Sequence, residues 1–545
     1  MKKRENPVEL PDKKHLKILK NGYVYYFTMN KRNNDKKRPE DDRQIIGKLS
    51  EDKTKLIPNK NYFKLFNCKE LEEPPKIDTT LSIGQYLAIQ KTSSIYDLYK
   101  SLEKNFPKQY EKIFAYALFM LDAGDSISQH YSKWAFKNYA GLDYSISSSM
   151  CSELFENISE DSVKNFFKDY IKSYREKNNL EKRLCYAFDS TNQNTYAENI
   201  TLAEYGKAKK DLNLPIINTS YFADEVTGIP LYYEIFYGSL LDKAQLKYSL
   251  KKSEELGFSK LFIIFDRGYY SAENVDSIRE NSYAFLLPET LNLANDYIKT
   301  YGKDIKDKAE AYIKDEKAYG IKIKLEDEIL KGKFLYIFYD SIRADEERLN
   351  LQSKAACLKE KVSKEKYFSK ELQEKYEKFL IITKMNFKAK KTPPVVSINT
   401  KSIQEMMDKA GFFACLSNEE INPSEMLKMI RKRDSVEKVF KRMKCGLKLD
   451  TPYAHNDATY QGKMFVCFIA LNLLETFRYL IKDYLAAVSS RTTFTALEAL
   501  SKIVAYKSED DWSQKYALTK EQKEICKHLS ITEKEVSHFI RNLNL

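Results

Sequence analysis

Two aspartates, Asp189 and Asp266, each follow a run of apolar residues, in the segments RLCYAFDS (residues 183–190) and LFIIFDRG (residues 261–268). Short apolar runs that end in polar residues predict buried strands. If these two strands lie side by side, the two carboxylates converge at one edge of a sheet. Close carboxylates repel each other, and their burial is costly unless a cation compensates. The sequence therefore predicts a cation site at this edge.

The ligand chemistry of this predicted site favours Mg²⁺, with Mn²⁺ able to substitute. Carboxylate oxygens suit these hard cations, and no His or Cys lies beside either aspartate. Two other aspartates compete for the role. Asp224 precedes the segment EVTG and is typical of a turn, whereas Asp242 begins a predicted helix and is typical of a cap.

A third carboxylate, Glu437, is expected on a helix that spans residues 424–448. At about 100° per residue, four residues lie within about 40° of Glu437 on that helix: Ile430, Arg433, Lys441 and Lys444. An apolar stripe runs beside them and consists of Met429, Val436, Phe440, Met443 and Leu447. A lone acid among cations suits a metal ligand whose neighbours hold phosphates, although a solvent-exposed face with Glu–Lys pairs is the alternative.

Together, two strand-end aspartates and a helical glutamate predict a two-metal phosphoryl-transfer site. One ion activates the attacking water or 3′-hydroxyl, and the other stabilises the leaving oxygen. The protein supplies mainly positioning and charge. The alternative interpretation is three unrelated acids: a turn cap, a strand end and a helix surface.

Composition narrows the class of protein. The 545 residues exceed what a single core accommodates, so about two to four domains are expected. No apolar run reaches membrane-spanning length, and the N-terminal residues lack the apolar segment of a secretory signal. The eight cysteines form no Cys-x-x-Cys pair, so neither a disulfide framework nor a zinc site is indicated. We expect an intracellular protein of a reducing compartment, located in the cytoplasm and at the nucleoid when it binds DNA.

The net charge of +13 favours a polyanionic partner. Residues 1–60 hold 17 Lys and Arg against 9 Asp and Glu, and residues 428–448 hold 9 against 2. Alternation in residues 21–49 predicts a β-hairpin with a long basic tip. The basic residues of that tip, for which ordinary surface and DNA contact are equally good interpretations, are Lys31, Arg32, Lys36, Lys37 and Arg38.

Changes in pattern divide the chain into six segments. Strand-like runs alternate with helical ones in residues 181–288, which predicts a mixed sheet covered by helices. The predicted segments are an N-terminal β-rich segment (1–80), a helical DNA-binding domain (81–180), the first part of the core (181–288), an inserted α+β domain (289–423), the second part of the core (424–485) and a C-terminal helical region (486–545).

In their order along the chain, these motifs resemble DDE transposases of bacterial insertion sequences, in the IS-four superfamily and most of all its IS-sixteen-thirty-four-like branch. FDST (188–191) resembles the first-Asp motif, IIFDRGYYS (263–271) the second, and RDSVEKVFKRMK (433–444) the Glu signature. The hairpin, the segments IFYDSIRA and GFFACLSN, and the helix QGKMFVCFIALNLL also resemble the branch. The resemblance implies an α/β multidomain protein, with an RNase H-like mixed-sheet catalytic core interrupted by an α+β insertion.

The superfamily signature runs Tyr, two residues, Arg, three residues, Glu, six residues, Lys. Arg433, Glu437 and Lys444 match it in register, whereas Ile430 occupies the Tyr position. The resemblance implies catalytic and metal-binding roles for Asp189, Asp266 and Glu437. It further implies Mg²⁺-dependent cleavage and strand transfer of double-stranded DNA, at transposon ends and target, by a homodimer. Arg433, Lys441, Lys444 and Arg267 are candidate DNA contacts.

Two alternatives keep the fold but change the activity. One is a catalytically inactive or domesticated DNA-binding derivative, and the intact Asp189, Asp266 and Glu437 argue against it, whereas Ile430 leaves it room. The other is a nuclease that cuts without joining. Inverted repeats on both sides of the gene would favour the transposase of a mobile element over either alternative.

Overall fold

The computed structural model describes residues 8–27, 31–32, 39–40, 43–50, 52–66, 79–178, 184–256, 261–278, 282–288, 291–326, 330–366, 369–384, 393–432, 438, 440–449, 451–508 and 511–543. The chain forms two compact units. The small unit comprises Met1–Thr79 with Tyr506–Asp511, and the large unit comprises Thr80–Ala505 with Trp512–Leu545.

An antiparallel sheet dominates the small unit, with strands Leu16–Ile18, Tyr23–Phe27, Arg43–Leu49 and Leu56–Pro58, followed by helix Lys60–Leu65. Tyr23–Phe27 pairs with Arg43–Leu49, which is the hairpin predicted from residues 21–49. Lys31–Arg32 pairs with Pro39–Glu40 and extends the hairpin. Of the predicted basic tip, Lys36, Lys37 and Arg38 lie outside the described residues, as do the side chains of Lys31 and Arg32.

Helices form the first part of the large unit: Gly84–Ser93, Leu98–Asn105, Tyr110–Ala123, Ser128–Ala135, Ser148–Glu156 and Glu160–Lys177. Serine caps begin the last two of them, since Ser147 accepts from the Met150 amide and Ser159 from the Ser162 amide. Aromatic rings fill the interior between these helices, as Tyr116, Tyr131 and Tyr170 are fully buried.

A nine-stranded mixed sheet forms the centre of the large unit. Its strands are β1 (Leu184–Asn194), β2 (Ile216–Asp224), β3 (Pro230–Tyr237), β4 (Leu261–Phe265), β5 (Ser282–Leu286), β6 (Tyr312–Ile313), β7 (Ala318–Lys324), β8 (Phe334–Tyr339) and β9 (Phe412–Ser417). The order across the sheet is β3-β2-β1-β4-β5-β9-β8-β7-β6. β1, β2 and β3 form an antiparallel meander, whereas β4 is parallel to both β1 and β5. The predicted mixed α/β class is confirmed.

Four of the nine strands, β6 to β9, come from the segment predicted as an insertion. β9 pairs antiparallel with β5 and so continues the sheet of residues 184–286. The same segment holds a separate hairpin of Leu380–Lys384 and Pro394–Ile398. Its helices are Asn292–Asp307, Ser341–Ser363, Lys370–Tyr376 and Thr400–Lys409.

Helices cover the sheet. The connections within residues 238–281 include helices Asp242–Glu255 and Ala272–Ser277. Helix Pro423–Lys432 precedes a π-helical turn at Arg442–Gly446, and the long helix Asp457–Leu480 is almost wholly buried. No helix within the described ranges combines the length and apolarity needed to cross a bilayer.

The C-terminal region contains helices Lys482–Ala486, Thr493–Ser501, Lys520–His528 and Glu533–Arg541. It also contains strands Val504–Ser508 and Asp511–Gln514, so the region predicted as helical is not helical throughout. The division of the chain into two units falls within these two strands and within Thr79–Ser82.

Candidate active site

Asp189 and Asp266 follow directly paired residues of two neighbouring parallel strands. The last parallel pair between β1 and β4 joins Phe188 to Phe265, and each aspartate is the next residue of its strand or chain. Both rings are buried in the apolar core and lie 5.8 Å apart. The core packing of the two phenylalanines therefore places the two aspartates side by side, as the apolar runs predicted.

The face on which the carboxylates lie follows from their neighbours. Asp189 pairs directly with Tyr221 of β2, and directly paired residues of antiparallel strands point to the same face. The Tyr221 ring contacts Phe440 at 5.6 Å between ring centroids, and its hydroxyl lies 3.3 Å from the Met443 sulfur. The chain around residues 440–443 thus packs on the face that carries Asp189.

Asp266 belongs to the same face by strand alternation. Ile264, two residues earlier, lies in an apolar cluster with Met426 and Ile430 of helix Pro423–Lys432. Asp266 keeps an extended backbone, with φ −74° and ψ 164°. Residues two apart in an extended chain share a face. Both aspartates consequently face the helical segment that precedes and follows residues 433–437.

Each of the two carboxylates is half-buried and is oriented by its own backbone. The amide of Ser190 donates to Asp189 Oδ1 and the amide of Arg267 donates to Asp266 Oδ1, both at 2.7 Å. Asp266 caps the short 3₁₀ turn Arg267–Tyr269. Such bonds restrict the side-chain rotamer of each aspartate.

The two aspartates differ in one respect from the prediction that both end a strand. β4 ends at Phe265, but β1 continues past Asp189 to Asn194, because its antiparallel pairing with β2 extends that far. Asp189 instead marks the point at which the parallel pairing with β4 stops.

One of the two competing aspartates, Asp224, has another role. Asp224 is buried, and its Oδ1 accepts bonds from the amides of Val226 and Thr227 and from the Thr227 hydroxyl. It therefore organises the turn between β2 and β3, as its sequence context indicates. Asp242 begins helix Asp242–Glu255, and its side chain lies outside the described residues.

Two residues of the predicted basic helix, Arg433 and Glu437, lie outside the described residues. Lys441 is exposed, and Lys444 Nζ donates to the Asn192 carbonyl of β1 at 2.7 Å, three residues after Asp189. The π-helical turn therefore brings Lys444 to the strand that carries Asp189. Turns of this kind occur often at functional sites.

Ile430 does not share the surface of Lys441 and Lys444, contrary to the prediction from a regular helix. It is only 7% exposed and lies in the apolar cluster beneath β4. The prediction assumed one regular helix across residues 424–448. The π-helical turn at Arg442–Gly446 changes the spacing to Lys444, and residues 433–437, between Ile430 and Lys441, lie outside the described residues. Met429, Phe440, Met443 and Leu447 are buried, as their apolar stripe predicted.

A buried ionic cluster that the sequence did not reveal anchors the π-helical turn. Glu475 of the long helix is fully buried, and it accepts from Arg442 Nε of the turn and from Arg478 Nε at 2.7 Å. Arg478 also donates to the Thr227 carbonyl at 2.6 Å. The sequence signal for this cluster was the pair of Glu475 and Arg478, three residues apart in an apolar helix. That pair does not reveal the third member, Arg442, which is distant in sequence.

The donors of the candidate site fit a hard divalent cation. Asp189 and Asp266 supply carboxylate oxygens on one face, which are the ligands that Mg²⁺ and Mn²⁺ prefer. Within the described ranges no group of three His, Cys, Asp or Glu residues is arranged to hold a metal. Glu437, the predicted third ligand, lies outside those ranges.

Comparison with known proteins identifies the family. The mixed sheet and the paired carboxylates at neighbouring parallel strands define the class: an α/β protein with a candidate site for a divalent cation. The family model of the transposase DDE domain matches residues 181–473, more than half of the chain. The chain therefore belongs to the transposase DDE domain family.

Curated proteins and solved structures give no further assignment for this chain. No curated protein matches the chain. A cryo-EM structure of a piggyBac transposase synaptic complex with hairpin DNA covers 84% of this chain and 84% of its own, with 9% identity and a TM-score of 0.36. A likeness at that level carries no argument about fold or function.

Proposed function

We propose that this protein is a DNA transposase that cleaves and joins DNA at the ends of its own mobile element by metal-dependent phosphoryl transfer. The observation that carries the proposal is the placement of Asp189 and Asp266 after the paired residues Phe188 and Phe265. Membership of the transposase DDE domain family supports it. We assign the five strands in the order β3-β2-β1-β4-β5 to an RNase H-like core, and the chain to the IS-four superfamily of bacterial insertion sequences.

The proposed ligands of Mg²⁺, or of Mn²⁺ in its place, are Asp189, Asp266 and Glu437. The described neighbours of Glu437 support its inclusion, because Phe440 and Met443 contact Tyr221, the pairing partner of Asp189. When bound, the metal supplies charge stabilisation and an activated oxygen nucleophile. The aspartates, each held by a backbone amide, provide a rigid ligand pair that does not reorganise during the reaction.

The cations around the site are proposed to hold DNA. Lys441 is exposed, and Lys444 contacts the strand of Asp189. Their ammonium groups would contact phosphates next to the scissile bond, and Arg433 and Arg267 would add further contacts. The proposed partner is double-stranded DNA at the transposon ends and at the target, bound by a homodimer of this chain.

Cleavage of a labelled duplex that carries the sequence flanking the gene tests the proposal. We expect the wild-type protein to cut at the element boundary only with Mg²⁺ or Mn²⁺, and Asp266→Asn to bind the duplex without cutting it. Asp304→Asn is the matched control, since this exposed aspartate forms an ion pair with Lys308, the residue that follows its helix. Failure of the wild-type protein to cut, or cutting by Asp266→Asn at the wild-type rate, would refute the proposal.

A plasmid added to the same reaction separates transposase from nuclease. Labelled ends joined to the plasmid are expected of a transposase. Cut ends that never join, under the same conditions, would instead establish a nuclease. Binding without any cutting by the wild-type protein would favour an inactive derivative.

A further inference from the structure

The connection between β1 and β2 lies along β1 and is held there by two buried asparagines. The Asn192 side chain donates to the Lys207 carbonyl at 3.1 Å and accepts from the Lys209 amide at 3.2 Å. Asn194 makes the equivalent pair with the carbonyl and amide of Asp211, at 2.9 and 3.3 Å. Each side-chain amide thus bonds one carbonyl and one amide of the connection, which fixes the connection to the strand of Asp189.

A close backbone contact fixes the same connection from its other side. The amide of Gly238, just after β3, donates to the Leu202 carbonyl at 3.1 Å. A Cβ atom at Gly206 would lie only 2.0 Å from the Gly238 carbonyl oxygen, so only glycine permits this approach. Residues 202–211 are therefore well anchored although they form no helix and no long strand.

The anchored segment presents positive charge on the face of β1 opposite to Asp189, because Asn192 and Asn194 alternate with the residues that share the face of the carboxylate. Its sequence GKAKK (206–210) places Lys207, Lys209 and Lys210 on the surface, and all three are exposed. Lys209 Nζ donates at 2.8 Å to the carbonyl of Ser190, the residue after Asp189. The segment GKAKK, which we call the basic loop, consequently reaches the backbone next to Asp189 from the opposite face of β1.

A polar cavity of about 380 Å³ opens beside the basic loop. Its polar lining residues are Ser190, Asn192, Lys207, Lys209, Asn218 and Ser239. Several of its donors already bond to the protein, since the Asn218 amide donates to the Tyr237, Gly238 and Leu240 carbonyls and Ser239 Oγ donates to Glu204. The exposed ammonium groups of Lys207 and Lys209 are the lining donors suited to the oxygens of a phosphodiester.

We propose that the basic loop holds the phosphodiester backbone of the bound DNA along β1, on the face opposite to Asp189, with Lys207 and Lys209 as its phosphate contacts. The inference rests on the proposed function, because it takes DNA as the substrate. The Tyr205 ring, 70% exposed and adjacent to the loop, offers a surface on which a base can stack. Rigid anchoring reduces the conformational entropy that the loop loses on binding.

The salt dependence of DNA binding tests this inference without requiring cleavage. Fluorescence anisotropy of a labelled gene-flanking duplex gives the slope of log K against log salt concentration. Each lost phosphate contact reduces the magnitude of that slope by about 0.9. We expect a reduction of about 0.9 for Lys207→Ala and about 1.8 for Lys207→Ala/Lys209→Ala. Lys207→Arg keeps the charge and is expected to keep the slope.

The matched control is Lys359→Ala/Lys361→Ala, which removes two exposed lysines of the same spacing from helix Ser341–Ser363. It is expected to leave the slope unchanged. Lys207→Ala is the decisive single variant, since the bond to Asn192 uses only its backbone carbonyl. An unchanged slope for both basic-loop variants would overturn the inference, even if the wild-type protein cleaves. Absence of wild-type cleavage, with the slope reduced as expected, would refute the proposed catalysis and leave the loop as a DNA contact.

Discussion

The substitution Arg442→Met tests whether the buried ionic cluster fixes the π-helical turn against the sheet. Glu475 is fully buried, and Arg442 is 20% exposed. Removal of one partner from a buried ion pair costs about 3–5 kcal/mol, because the remaining charge stays buried without compensation. Arg478 still donates to Glu475 at 2.7 Å, so the lower end, about 3 kcal/mol, is expected.

Hydrogen exchange measured by mass spectrometry reports this loss locally. The amides of Leu447 and Leu449 donate within the turn, to the carbonyls of Arg442 and Met443. A local loss of about 3 kcal/mol makes their exchange faster by about 100-fold. A local readout is preferable to global unfolding, since a chain with two compact units does not guarantee a two-state transition.

Two variants control the interpretation of this exchange experiment. Arg442→Met/Glu475→Met removes the buried charge along with its partner, and we expect most of the protection to return. Lys364→Met removes a cation from an exposed pair with Glu360, both side chains being 73% exposed, and should change little. Wild-type exchange at Leu447 and Leu449 in Arg442→Met would refute the anchoring role of the cluster.

Three further predictions concern other parts of the large unit. Asp224→Ala should lower the free energy of unfolding by about 2 kcal/mol, because three donors lose their acceptor. Melting curves measure this loss, and the control Asp304→Asn should leave the midpoint unchanged. Burial lowers the pKa of Lys463 to about 8 from 10.5. Between these two pH values the unfolded chain binds one more proton than the folded chain, so wild-type stability rises with pH. Lys463→Met should therefore raise the melting midpoint at pH 7, and this increase should disappear by about pH 10. An equal increase at both pH values would contradict the prediction. Cys445, beside Lys444, and Cys357 are both exposed. Bound DNA should slow the alkylation of Cys445 and leave that of Cys357 unchanged. Equal alkylation rates of Cys445 with and without DNA would argue against DNA at the π-helical turn.

The local parts of the candidate site could be predicted from the sequence. The apolar runs before Asp189 and Asp266 indicate strands, and the core position of Phe188 and Phe265 makes the adjacency of those strands physically reasonable. The turn role of Asp224 follows from the residues after it. These features depend on short segments whose own chemistry determines their conformation.

The parts that were not predicted depend on distant partners. β1 continues past Asp189 because β2, some thirty residues later, remains paired with it. β9 joins the sheet of the core only through its pairing with β5, more than a hundred residues earlier. Neither pairing leaves a local signal, because a buried strand shows the same apolar run in an inserted domain and in the core.

Ile430 and Glu475 illustrate the same limit for helices. A regular helix of 3.6 residues per turn places Ile430 with the cations, but Ile430 packs in an apolar cluster with Ile264 of β4, a tertiary contact that helix periodicity does not specify. Glu475 lies within a helix whose burial was predicted, yet its role depends on Arg442, which is 33 residues away in sequence. The backbone anchoring of residues 206–211 likewise depends on the side chains of Asn192 and Asn194.

The central claim is that Asp189, Asp266 and Glu437 share one metal site, and replacement of Mg²⁺ by Fe²⁺ tests it most directly. With ascorbate and peroxide, bound Fe²⁺ generates hydroxyl radicals that cut the polypeptide close to the metal. With the gene-flanking duplex bound, we predict cuts close to all three residues, which Mg²⁺ suppresses by competition and Asp266→Asn abolishes. Cuts near Asp189 and Asp266 without a cut near Glu437, or cuts that persist in Asp266→Asn, would contradict the shared site.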